Sequence, residues 1–105
     1  MGAARPRPRR LAEKLLQIRN ALGLSQTELL RQLGVQDDIA YTRISDYELD
    51  KNEPTLMVLL EYARVAHVHL EEIVDDLLDL PSELPGRVKY NNVQIKSRAK
   101  RRSIL

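Results

Sequence analysis

Apolar residues first recur along the chain as Leu11, Leu15, Ile18 and Leu22, the spacing of one helical face, and Gly23 follows as a stop. Ser25 precedes "QTELLRQL", and Glu28 stands three residues on, the pattern of a capping box opening a short second helix. Leu29, Leu30 and Leu33 form its inward face, and Gly34 ends it. A third helix is predicted from a cap at Asp37 or Asp38 to about Leu49, with Ala40, Ile44 and Tyr47 inward at i, i+4 and i+7. Thr55, after Pro54, caps a fourth helix with Leu56, Leu59, Leu60 and Ala63 facing the core. A fifth, "HLEEIVDDLLDL", stops before Pro81 and buries Leu70, Ile73, Val74 and Leu77. Tyr47, Met57 and Tyr62, at helical spacing, read as core residues.

The ends break this periodicity. Arg5-Pro6-Arg7-Pro8 cannot be helix interior, because each proline lacks an N–H and restricts its predecessor. "LPSELPG" reads as a linker. Beyond it, Val88 and Tyr90, then Val93 and Ile95, flank Asn91-Asn92 in a pattern that permits a small hairpin. An isolated hairpin is marginal, so a disordered tail is the expectation. The chain thus divides into an arm (1–10), a helical domain (11–80), and a linker with tail (81–105). The expected fold class is all-α, which suits a composition rich in Leu and poor in aromatic residues.

Charge sharpens that division. The net charge of +2 conceals four Arg and no acid in residues 1–10, and seven Lys or Arg and no acid in residues 87–105. Residues 11–86 carry six bases and fifteen acids, a net of −9 between arms of +4 and +7. Such asymmetry points to a polyanionic partner for the arms, although basic termini also serve solubility alone. There is no Cys, which excludes disulfides and thiolate metal sites. The basic start resembles that of a signal peptide, but charge breaks "LAEKLLQIRN", leaving no apolar segment for export or membrane spanning. A cytoplasmic, nucleoid-associated protein is expected, with no membrane partner.

The second and third helices around Gly34-Val35 make a helix-turn-helix candidate, a weak description by itself. Resemblance adds specificity. The Leu-Gly-Leu-Ser-Gln entry to the second helix, Leu-Gly-Val at the turn, Ile-Ser-x-Tyr-Glu, and Lys-x-x-Pro-Thr together resemble the Cro/lambda-repressor-like helix-turn-helix regulators, the xenobiotic-response-element family, over roughly residues 11–77. The resemblance implies a five-helix bundle that binds double-stranded DNA as a homodimer, with the third helix in the major groove and the second across the backbone. It further implies a phosphate contact for Gln26, with Thr27 beside it; base contacts for Tyr41, Thr42 and Arg43, with Asp46 one turn on; and phosphate contacts for Lys51 and Asn52. Arg19 and Glu48 match a pair that such domains use as an internal salt bridge.

The chain departs from the pattern twice. Eight residues, "QDDIAYTR", separate Val35 from Ile44 where four are usual. If the excess is helical, Ile39 lies outward with Thr42 and Asp46, able to touch a thymine methyl; equally, it folds back over the core. Asp50 stands where glycine is favoured after the third helix, and Asp tolerates the left-handed conformation less well.

The stretch "AYTRISDYELDKNEP" carries two bases against four acids, so the third helix is a poor source of affinity for DNA. Phosphate neutralisation supplies most of that, and the arms, with Arg5, Arg7, Arg9 and Arg10 at the front, are the available source. Mobile arms are expected, since neither has much apolar surface to bury.

Other chemistry is poorly supported. His67 and His69 are two apart and point different ways on a helix, so His69 reads as a cap rather than a metal ligand. No phosphate loop and no nucleophile with a base and orienting acid is recognisable, so neither an enzyme nor a cofactor is expected. The stripe Glu71, Glu72, Asp75, Asp76 and Asp79 reads as a solvated face, or else as a site for a cation or a protein partner. Leu78 and Leu80 lie outside the inward row and suggest a dimer contact. The leading expectation is a sequence-specific DNA-binding regulator, a repressor. The alternative is an adaptor or antitoxin-type module whose arms contact RNA or an acidic partner.

Overall fold

A computed structural model of the chain describes residues 7–85. They form five helices: α1 (Leu11–Leu22), α2 (Gln26–Leu33), α3 (Thr42–Glu48), α4 (Leu56–Ala66) and α5 (Leu70–Val74), with no strand among the described residues. α1 is the central element and packs on α3, α4 and α5, while α2 packs on α3 and α4. Its row Leu11, Leu15, Ile18 and Leu22 is buried as the spacing predicts, and so are Leu29, Leu30 and Leu33 of α2.

The boundaries of α1 and α2 follow from local chemistry. Gly23 and Gly34 take φ of 70° and 75°, a left-handed turn that costs glycine little and closes both helices. Ser25 Oγ accepts the Glu28 N–H at 3.1 Å, and Glu28 Oε1 accepts the Ser25 N–H at 2.8 Å, completing the capping box. Thr55 Oγ1 accepts the Val58 N–H at 3.3 Å and opens α4. His69 occupies the N-cap position of α5, where the cap comes from Glu72 Oε1 reaching back to the His69 N–H at 2.8 Å.

Three sequence expectations change. α3 starts at Thr42, not near Asp37, and Ala40 is exposed rather than inward. On α4 the buried set is Val58, Leu59, Tyr62, Ala63, Val65 and Ala66, while Leu56 and Met57 are exposed. "LMVLLEYARVA" is apolar nearly all round, so its periodicity selects no single face; Tyr62 takes the centre instead. α5 is only five residues long, and Leu77, expected inside, is 91% exposed.

The short α5 has a physical cause in α1. Lys14 lies on the buried row between Leu11 and Ile18 and is fully enclosed. Its ammonium donates to the carbonyls of Glu72 (2.9 Å), Asp75 (2.8 Å) and Leu78 (2.7 Å). Three oxygens satisfy all three ammonium donors, which a buried charge requires. Carbonyls turned toward Lys14 cannot all continue a helix, and Asp75 leaves it in an extended conformation. Residues 75–80 then wrap around the cation, and Leu80 enters the core. The segment from Pro81, expected as linker, contributes Leu84 to the same core. The tail 87–105, with its possible hairpin, lies outside the described residues.

Candidate nucleic-acid interface

The four additional residues lengthen the turn between α2 and α3 and leave α3 short. The Val35 carbonyl accepts the N–H groups of Asp38 (2.9 Å) and Ile39 (3.0 Å), closing one helical turn outside either helix. Val35 and Ile39 are half-buried and pack against the core, so of the two placements open to Ile39 the inward one is found. Gln36, Asp37 and Asp38 face solvent.

α3 is held from beneath by Ile44, fully buried, and Tyr47, nearly so. Tyr41, Thr42 and Arg43 come immediately before Ile44 and are all exposed, forming a short polar edge on a rigid base. Asp46, one turn on, is half-buried and accepts from Asn52 Nδ2 at 3.3 Å. Its carbonyl accepts the Lys51 N–H at 2.8 Å, and Asp50 between takes the left-handed conformation with φ of 60°. The loop 49–54 is thereby folded against the end of α3, with the Lys51 side chain exposed.

Arg19 of α1 and Glu48 of α3 form a fork: Nε to Oε2 at 2.6 Å and Nη2 to Oε1 at 3.0 Å. Arg19 Nη1 also donates to the Leu24 carbonyl at 3.1 Å. The Glu48 side chain is 5% exposed, and its hydrogen bonds raise the Arg19 pKa further above the usual arginine value. Gln26, at the start of α2, donates from Nε2 to the same Glu48 Oε1 at 3.3 Å; Thr27 beside it is exposed. The Tyr62 hydroxyl is buried without a hydrogen-bond partner, and burial pushes its pKa up.

The described part of the N-terminal arm lies against the domain. Arg7 Nη2 meets Asp50 Oδ1 at 2.8 Å, and its Nε stands 4.0 Å from Glu53 Oε2. The N–H groups of Arg9 and Arg10 both donate to the Asp76 carboxylate, at 2.8 and 2.9 Å, and hold its pKa below the usual aspartate value. The Arg10 guanidinium meets Asp79 at 2.8 Å and donates to the carbonyls of Asp76 and Leu78. Arg5 lies outside the described residues.

A family model for helix-turn-helix domains matches residues 15–73, from Leu15 within α1 to Ile73 within α5. The chain belongs to this helix-turn-helix family. Its branch is the Cro/lambda-repressor-like, xenobiotic-response-element group of DNA-binding regulators. Neither a curated protein nor a solved structure matches the chain significantly. Among the described residues of this helix-turn-helix protein, no helix is long and apolar enough to cross a membrane, and no three side chains gather as a metal site.

Sequence reasoning passed over two participants. Lys14 was legible: it stands three residues after Leu11 and four before Ile18, on the buried row of α1. The docking of Arg10 on the α5 turn had no local signal, since its partners lie more than sixty residues away in sequence.

Proposed function

We propose that the protein is a sequence-specific DNA-binding repressor of transcription that reads the major groove with α3. The observation that carries this is the exposed edge Tyr41-Thr42-Arg43 above buried Ile44, in a domain of a DNA-binding family. Exposed residues on a fixed helix can pair with base edges, and Arg is suited to guanine O6 and N7. Asp46 stands one turn on, where a carboxylate can accept from cytosine N4. Gln26, Thr27, Lys51 and Asn52 take phosphates; the second N–H of Gln26 Nε2 remains for that purpose while the first holds Glu48. Ile39, packed inward, supports the turn and is not proposed to touch a base.

The protein acts as a homodimer on half-sites about one helical turn apart. Leu77 and Leu78, exposed on the turn after α5, offer apolar surface for that contact, whereas Leu80 is occupied in its own core. The test is selection of binding sites from random duplexes, followed by binding of Thr42→Ala and Arg43→Ala to the selected and to random DNA. Relaxed preference at one or two base positions supports readout by this edge. Equal weakening on every sequence would assign both residues to the backbone and remove α3 as the reader.

An adaptor role is the second reading, favoured by the net −9 of residues 11–86 and by intramolecular partners for Arg7 and Arg10. Binding to RNA or an acidic protein, with no salt-dependent duplex binding, would establish it instead.

A further inference from the structure

The turn after α5 is braced by its own backbone, by α1 and by the arm, yet it ends in an exposed leucine. The Leu77 N–H donates to Asp75 Oδ1 at 2.9 Å, and the Leu78 N–H to the Asp75 carbonyl at 3.0 Å. Lys14 holds the carbonyls of Asp75 and Leu78 from within. Residues 9 and 10 lie across the turn as a strap, with both N–H groups on the Asp76 carboxylate and the Arg10 guanidinium on the carbonyls of Asp76 and Leu78. Leu77, amid these contacts, is 91% exposed. An apolar side chain carried on a fixed backbone loses little freedom when a partner covers it, which is what an interface anchor requires.

A receptor for such a knob lies at the other end of α5. Half-buried Leu60, Val68 and Leu70 line an open groove of about 350 Å³ between α4 and α5, together with Arg64, His67 and His69. Arg64 gives one nitrogen to Glu61 at 2.8 Å and retains further N–H donors, and the exposed His69 can supply another. Around Leu77 the surface groups are acceptors: the carboxylates of Asp75, Asp76 and Asp79 outnumber the cations Arg10 and Lys14, and the Asp79 side chain is 83% exposed. Knob and groove are therefore complementary in chemistry, and Leu77 does not enter its own groove.

We propose that Leu77 and its turn seat in the α4–α5 groove of a second copy of this chain, reciprocally, so that two knobs and two grooves close a two-fold dimer. This rests on the homodimer reading given above and deepens it by naming the surface that receives the turn. Groove and knob stand at opposite ends of α5, whose five residues span about 7.5 Å. With two α5 helices antiparallel across a two-fold axis, each knob faces the other copy's groove, and every contact occurs twice. The contact uses none of the residues assigned to DNA.

Sedimentation equilibrium of the full chain, alone and on a selected duplex, tests this with a knob variant, Leu77→Lys, and a groove variant, Arg64→Glu with His69→Asp. All three side chains are exposed, and aspartate is a good N-cap for α5, so both variants keep the fold. Each should raise the dimer dissociation constant by roughly thirtyfold or more, because symmetry counts every substitution twice. An equimolar mixture of the two variants should associate more tightly than either alone. Their heterodimer restores one native knob in one native groove and sets the introduced lysine against the introduced acids. Variants that dimerise like wild type, or a mixture no tighter than its components, would overturn the proposal. A dimer lost instead in Met57→Gln, at a residue 63% exposed near the start of α4, sinks this inference alone and moves the homodimer contact there. A wild-type chain that is monomeric both alone and on DNA removes the homodimer reading, and this inference with it.

Discussion

The corner where α1 meets the turn after α5 and the leading edge of α3 treat positive charge in opposite ways. At the corner, Lys14 is enclosed and spends all three donors on carbonyls, and Arg10 is tied to Asp79, Asp76 and Leu78. At the edge, the Arg43 guanidinium has no hydrogen bond or ion pair among the described residues, and the side chains of Thr42 and Tyr41 beside it are exposed as well. Between them lies the Arg19–Glu48 fork, half in each regime: satisfied internally, yet holding Gln26 at the surface of α2. The contrast separates roles. A cation whose donors are all consumed by its own chain is architecture; one mounted on a buried residue and left open is available to a partner.

Breaking the corner should have the largest effect. Lys14→Met preserves much of the volume but takes a charged hydrogen bond from each of three carbonyls, at about 1–3 kcal/mol each; that of Glu72 is left without a donor, while Asp75 keeps the Leu78 N–H and Leu78 keeps Arg10. A total loss of about 3 kcal/mol or more in urea unfolding is expected, with faster amide exchange concentrated in residues 75–80. A loss below about 1 kcal/mol would show that the turn holds its shape without the ammonium.

Next comes the fork. Arg19→Met leaves Glu48 nearly buried and without its bidentate partner, for a cost of roughly 3 kcal/mol. A double-mutant cycle with Glu48→Gln on urea unfolding should return a clear coupling energy; a value indistinguishable from zero contradicts a structural pair.

The edge should behave in the reverse manner. Thr42→Ala and Arg43→Ala should change stability by no more than about 0.5 kcal/mol. Each should cost about 1–3 kcal/mol of binding to the selected duplex. Destabilisation comparable to that of Lys14→Met would mean the edge is architecture as well, and the contrast between the two regions would collapse.

The same contrast explains what the sequence disclosed. α1, α2 and their caps were legible because their signals are local: a 3.6-residue row, Gly23 and Gly34, and the Ser25–Glu28 box. The exposed triplet before Ile44 was legible once Ile44 was placed inside. α5 was misjudged in length because its end is decided by Lys14, more than fifty residues away. α3 was begun too early because Asp37 and Asp38 look like caps, whereas the turn at Val35 absorbs them so that Ile39 can pack inward. The docked arm was missed for a related reason. Proline and arginine describe a chain that cannot be helical, and nothing in them says that Asp76 will accept two of its N–H groups.

That last contact gives the smallest and most local test. The Asp76 carboxylate binds its proton more weakly in the folded chain than an ordinary aspartate of pKa 3.8, chiefly because the Arg9 and Arg10 N–H groups donate to it. The unfolded chain therefore takes up that proton first as pH falls, so the contribution is complete above 3.8 and lost as pH drops through the lower folded value. Amide exchange at Arg9 and Arg10 reads this directly, because those two N–H groups are the donors. Their protection should be steady above pH 3.8 and decline below it, while Leu15 and Ile18, buried in the middle of α1, stay protected further into acid. In Asp76→Asn the carboxylate is gone, so protection at residues 9 and 10 should be weaker at every pH and lose its dependence across that window. Protection at Arg9 and Arg10 that ignores both acid and the substitution would mean that something other than Asp76 holds the strap. Loss of protection at all four residues together would mean that the strap and the core open as one unit, and that the corner is a single structure from Arg9 inward.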